Sequence, residues 1–390
     1  MSTVAVHAPV LRWAQRRSGH DDHTMRSRFR KWDRWLNSVD EPSLAQVEEI
    51  ARFTHVPVGA LFLPTPPAEQ LPIPDFRPGR GPTVAASDNL LDTIFLNQRR
   101  QGWYEDYLAR LGAVEPLSFV GSARAASVDD TAAMITQALD YGLERRVRLR
   151  SVNDARRWLV DRFEALGGLI VISSMVENNT HRMLDLTEFR GFGLPSATAP
   201  LVFVNGVDTK RGQVFSLLHE FAHVWLGQTG ISAGGEPLRN RTNSVERWCD
   251  AVAAEIAVPR ADLRERHRGN VDFTDDDARA GELDRLGNYY RCSTLVVLIK
   301  LRELALIAPH DFDVAYEHEV LRLVNLIDTA PKSSGGDFYR NQFFKIGPTL
   351  SRAIIRDAAQ GTTPMTEALR LMSFTRTSTF DRYAREIGEG

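Results

Sequence analysis

Val214, Leu217, Leu218, Phe221, Val224 and Trp225 recur three or four residues apart, the spacing that lines one face of an α-helix with apolar side chains. The stripe predicts a helix half in the core and half in a cleft, with Ser216, His219, Glu220 and His223 on or beside the other face. A second stripe of Val245, Trp248, Cys249, Val252 and Ile256 predicts another amphipathic helix ending before Pro259. Upstream, helical spacing recurs over 87–111, 129–141 and 152–166, whereas 168–173, 189–194 and 201–204 read as short strands. Downstream, 283–290 and 293–306 read as two helices joined by a tight turn. The pair is not basic, so a helical hairpin packed on the core is expected rather than a second helix-turn-helix. Residues 1–64 read as four or five short helices, and the prolines of 64–82 with Gly79 and Gly81 mark a linker. After a connector at Gly335-Gly336, helical patterns at 347–359 and 363–373 close the chain. The expected class is α+β and mainly helical, with a small antiparallel or mixed sheet. Its expected divisions are a helical domain over 1–64, a linker over 65–82, a principal domain over 83–330 and a small helical appendage over 331–390.

The first stripe carries His219-Glu220-Phe221-Ala222-His223. Residues four apart on a helix share a face, so both imidazoles can reach one cation, and the intervening glutamate can hold and deprotonate a water. The spacing alone is weak, because a chain with ten histidines meets it by chance in about one or two cases in a hundred. Catalytic zinc takes three protein ligands, and the second stripe offers acidic candidates. Glu246 and Asp250 lie four apart on its polar side. One can bind the metal while the other, a turn away, accepts the outer N–H of a ligand histidine. Glu255, nine residues past Glu246, points to the opposite side of the helix.

The HExxH segment, followed after a Gly-containing loop by Glu246-x-x-x-Asp250-x-x-Ala253-Ala254-Glu255-x-x-x-Pro259, resembles the ImmA/IrrE family of bacterial metallopeptidases. The resemblance implies a zincin-like fold with His219, His223 and Glu246 as Zn2+ ligands, Glu220 as general base and Asp250 as outer-sphere partner. Asp250 stands where that family more often has Asn, and Cys249 replaces its usual Ala. The implied activity is site-specific endoproteolysis in the cytoplasm, with a helix-turn-helix repressor or an adjacent-gene product such as a toxin as protein substrate. In such a fold an edge strand holds the extended substrate, and 189–194 or 201–204 is the expected one. His267, Tyr289 and Tyr290 are candidates to hydrogen-bond the oxyanion.

Leu11-Arg12-Trp13-Ala14 to Gly19, then Trp32, Trp35, Pro42 and Leu44 to Pro64, resemble the XRE-type helix-turn-helix module fused to many proteins of that family. The stretch Leu71-Pro72-Ile73-Pro74-Asp75-Phe76-Arg77 resembles the linker of those fusions. From Leu11 to Trp35 there are eight Arg or Lys against three Asp, a local surplus suited to phosphate contacts. Arg26, Arg28, Arg30, Lys31 and Arg34 are the expected DNA contacts. The span from Gly19 to Trp35 is short for a turn plus a recognition helix. Docking of a protein is therefore weighed equally, and a DNA-binding regulator or an antitoxin-like partner of a neighbouring gene's product is the alternative role.

With 390 residues, 43% hydrophobic, the chain can bury a sizeable core. A net charge of −2 argues against a protein-wide nucleic-acid surface. Only Cys249 and Cys292 occur, which fits a reducing compartment, and neither a membrane span nor a signal peptide is expected.

Overall fold

The computed structural model describes residues 3–67, 71–75, 86–233, 243–329 and 338–388. Two units divide the chain by contact. The first comprises Met1–Pro72, Gly81–Phe95 and Met175–Leu184, and the second comprises Ile73–Arg80, Leu96–Ser174 and Asp185–Gly390.

In the first unit, α1 (Ala8–Ser18), α2 (Asp22–Arg28), α3 (Trp32–Leu36) and α4 (Leu44–Thr54) are followed by a 3-10 turn at Val58–Phe62. The start of α4 is fixed by a capping box: Ser43 Oγ accepts from Gln46 N–H, and Gln46 Oε1 accepts from Ser43 N–H at 2.9 Å. Val10, Leu11, Trp13, Trp32, Trp35, Val47 and Ile50 form one buried cluster. The five-residue α3 spends both its tryptophans on that core.

The unit boundary falls within α5 (Asp88–Arg110), between Phe95 and Leu96. The second unit continues with α6 (Val128–Ala138), α7 (Leu143–Arg148) and α8 (Val152–Ala165), then β1 (Leu169–Ser173), β2 (Phe189–Leu194), β3 (Leu201–Asn205), α9 (Lys210–Leu226) and β4 (Gly230–Ala233). Next come α10 (Ser244–Ala257), α11 (Arg260–Arg266), α12 (Asp276–Tyr290), α13 (Thr294–Glu303) and α14 (Pro309–Thr329). The unit ends with α15 (Phe338–Ile346), α16 (Pro348–Ala359), α17 (Met365–Leu371) and α18 (Thr377–Glu386).

The four strands form a mixed sheet in the order β1-β3-β2-β4, with β1 parallel to β3 and the other pairs antiparallel. The class is thus α+β and mainly helical with a small mixed sheet, as the periodicity predicted, and it is consistent with the zincin-like domain that the resemblance implied. The order corrects the expected substrate edge. Both 189–194 and 201–204 are interior strands, and the edges are β1 and β4. The sequence conceals β4 because Gly230-Ile231-Ser232-Ala233 has neither an apolar run nor clean alternation, so it reads as loop.

Helix α9 starts at the Thr209 cap, whose hydroxyl accepts from Gly212 N–H at 3.0 Å, and stops at Gly227, left-handed at φ +70°. It packs against β2 and β3 of the sheet and against α8 and α10. This differs from the expected half-exposed helix. His219, Glu220 and His223 are as buried as the apolar stripe, because strands and α10 cover the polar face too. The pair α12 and α13 turns at left-handed Arg291 and buries Leu283, Leu286, Val297, Leu298 and Leu301 in the same core as α9. It is the helical hairpin that its composition predicted.

Candidate metal centre

Two helices bring the predicted donors together. His219 and His223, one turn apart on α9, face Glu246 in the first turn of α10, where Asn243 caps the helix by accepting from the N–H groups of Val245 (2.8 Å) and Glu246 (3.3 Å). His219 Nε2 and His223 Nε2 are 3.1 Å apart, His223 Nε2 lies 2.9 Å from Glu246 Oε1, and His219 Nε2 lies 3.4 Å from Glu246 Oε2. Among the described residues this is the one group of three or more His, Cys, Asp or Glu side chains close enough to hold a metal ion.

The donor set fits zinc. Ligands about 2.1 Å from a tetrahedral Zn2+ sit roughly 3.4 Å from one another, close to the separations of 2.9–3.4 Å seen here. Two imidazole nitrogens and a carboxylate are ordinary zinc donors, and Glu246 is fully buried with both imidazoles. Asp250 Oδ1 lies 2.8 Å from His219 Nδ1. The carboxylate thus stands at ion-pair distance from Nδ1, on the side of the ring away from the Nε2 that faces the shared centre. Glu255, excluded by its helical phase, bonds Lys300 Nζ at 2.9 Å and Arg260 instead.

Glu220 is buried beside this group. Ser232 on β4 donates to its Oε1, and its Oε2 is buried with no hydrogen-bond partner among the described residues. Burial raises the Glu220 pKa, against the pull of the two imidazoles and the Ser232 hydroxyl. Burial alone would lower the His219 pKa, but the Glu246 and Asp250 carboxylates outweigh it and raise it to about 10. Burial likewise opposes ionisation of Glu246, yet His219 and His223 hold it well below the usual carboxylate range.

Three residues of this neighbourhood were missed in the sequence. Besides Ser232, they are Gly191 and Gly193 on β2. A Cβ at Gly191 would meet Phe203 O at 2.7 Å and Glu220 Oε1 at 2.8 Å, and one at Gly193 would touch His223 Cβ at 3.4 Å. Two glycines inside a strand are the available signal, since they mark close approach of another element. The oxyanion candidates are occupied elsewhere: Tyr290 donates to Asp262 at 2.6 Å, His267 Nδ1 faces Glu282 at 3.4 Å, and Tyr289 stacks on Arg266.

The expected DNA contacts lie in the first unit. Arg26 bonds Asp33 (2.9 Å), Arg28 bonds Glu49 (2.5 Å), and Lys31 and Arg34 share Asp40 (3.4 and 2.7 Å), while Arg30 is exposed. Acidic neighbours thus offset much of the local positive charge.

Residues 163–302 match the IrrE N-terminal-like domain. That peptidase-family model runs from the end of α8 through α13 and contains the whole sheet, both helices of the centre and every donor named above. Residues 346–386 match a domain of unknown function (DUF8813), which spans α16 to α18. Comparison with curated proteins gives no match. Among the described residues, no helix is long and apolar enough to cross a membrane.

Proposed function

We propose that the protein is a zinc-dependent endopeptidase acting on a regulatory protein, with His219, His223 and Glu246 as the metal ligands. The observation that carries this reading is the convergence of three buried donors within 3.4 Å, beside a buried glutamate that keeps one carboxylate oxygen unbonded. The match of residues 163–302 to a peptidase family supports it.

Bound zinc supplies Lewis acidity, which polarises a peptide carbonyl and lowers the pKa of water to about 7. Glu220 does the proton work. Ser232 occupies Oε1, so Oε2 is the oxygen that takes the proton from the attacking water. The same oxygen returns it to the amine nitrogen as the C–N bond breaks. Asp250 keeps His219 in the tautomer that presents Nε2 inward. A helix-turn-helix repressor, or an adjacent-gene product such as a toxin, is the proposed substrate.

The test is purified Glu220→Gln, incubated with the adjacent gene's product and assayed for zinc by elemental analysis. Cleavage should fall at least about 1,000-fold, within the range that proton transfer contributes, with zinc retained. His219→Ala and Glu246→Ala should both lose zinc. Wild-type cleavage by Glu220→Gln would refute the assignment, and full zinc occupancy in Glu246→Ala would remove that residue from the ligand set.

A further inference from the structure

The proline-flanked stretch after the first unit, singled out in the sequence, has no role in the chemistry above. The structure gives it a place. Ile73 is buried, the Pro74 carbonyl accepts a hydrogen bond from the backbone N–H of Ile231 at 3.2 Å, and Asp75 pairs with Ile231 as a parallel bridge. Residues 73–75 belong to the same unit as β4. They lie along its outer edge, since its inner edge is paired to β2.

That edge adjoins the candidate centre. Ser232, the residue after Ile231, donates to Glu220 Oε1 and pairs across the sheet with Gly191, whose Cα faces the same glutamate. Neighbouring strands are about 4.8 Å apart, so a peptide added to β4 passes one strand spacing from the residue that holds the proposed base. An open sheet edge is a template for an extended chain, and here the protein's own chain uses it.

We propose that the outer edge of β4 is the docking edge for an extended segment of the substrate, and that residues 73–75 hold it as an internal strand which the substrate displaces. The proposal rests on the endopeptidase reading. The composition of the segment makes it displaceable. Pro72 and Pro74 have no N–H, so two of its five described residues cannot donate to a ladder. A competing segment with a full set of N–H groups forms more bonds to the same edge. Ile73 supplies the apolar anchor that the internal strand uses in their stead.

The experiment compares the full-length Glu220→Gln protein, in which peptide is not consumed, with the same protein carrying Ile73→Asp or the milder Ile73→Ala. Deuterium exchange is followed in the fragment containing Ile231, and binding of a fluorescein-labelled synthetic peptide spanning residues 71–77 is followed by anisotropy. Ile73→Asp should speed exchange of the Ile231 amide at least tenfold and tighten peptide binding at least tenfold, and saturating peptide should restore protection. Ile73→Ala should shift both in the same direction by less, and it decides the matter if Ile73→Asp fails to fold. Unchanged exchange in a folded variant, or equal peptide binding by all three proteins, would overturn the proposal. Neither readout needs turnover, and zinc is measured on the same samples. Absent zinc with altered exchange counts against the endopeptidase alone, whereas normal zinc with unaltered exchange counts against the displaceable strand alone.

Discussion

At the scale of single residues, the centre depends as much on what is missing from β2 as on what α9 and α10 supply. Gly191 lies against Glu220 with room for a hydrogen and no more, since an added Cβ would sit 2.7 Å from a backbone oxygen and 2.8 Å from the carboxylate. Backbone cannot move aside as a side-chain end can, so Gly191→Ala should cost about 1–3 kcal/mol and displace Glu220. A lower melting temperature and reduced turnover with zinc retained would show this. Gly193→Ala, with its nearest contact at 3.4 Å, should be tolerated, and equal damage from both substitutions would contradict the geometry. Asp250 offers a second test. Asp250→Ala removes the acceptor that orients His219, and zinc affinity, measured by chelator competition, should fall about 10–100-fold. Asp250→Asn keeps an acceptor oxygen and should retain most of it.

At the scale of elements, the start of α10 sets the position of Glu246. Asn243 accepts from two N–H groups at that start, one of them from Glu246 itself. Asn243→Ala should cost about 1 kcal/mol and weaken zinc binding together with the melting temperature, while Asn243→Asp, which preserves the acceptor, should restore both. An unaltered zinc affinity in Asn243→Ala would mean that α10 is positioned by packing alone. The two helices of the centre were legible in the sequence because long amphipathic stripes state their phase, and phase places His219, His223, Glu246 and Asp250 on facing surfaces while sending Glu255 away. The strands 169–173 and 201–205 were legible as apolar runs between turns, and 189–194 as a short segment with Phe189, Phe192 and Leu194. Their order in the sheet was not, because pairing is decided by tertiary contacts that no local pattern encodes. β4 and its Ser232 were hidden for a related reason: a four-residue edge strand with one neighbour needs little apolar character to form. The burial of the HExxH face also escaped the sequence, since its cover comes from β2 and α10.

At the scale of the whole molecule, the second unit joins the peptidase-like segment to its carboxy-terminal helices through a buried acid. Glu164, near the end of α8, accepts through Oε2 from the backbone N–H (3.0 Å) and hydroxyl (2.7 Å) of Thr349 in the first turn of α16. Gly347, at φ +85°, leaves the space its Oε1 needs, for a Cβ there would lie 2.8 Å away. Burial raises the Glu164 pKa from an ordinary 4.5 to about 7, against the opposing Thr349 bonds; the neighbouring Asp161 adds to the rise. A carboxyl whose pKa is raised on folding binds its proton more tightly in the folded chain. Its contribution to stability is complete below about pH 4.5 and is lost as pH rises through about 7. Glu164→Gln keeps an acceptor oxygen for Thr349 and never ionises. The variant should therefore gain on the wild type as pH rises, by on the order of 3 kcal/mol at about pH 8, with the difference nearly gone at about pH 4.5. Thermal melts of both proteins across that range measure it directly. A wild-type advantage that grew with pH would show that the ionised carboxylate, bonded at the α16 amino terminus, is the form that holds these helices to α8.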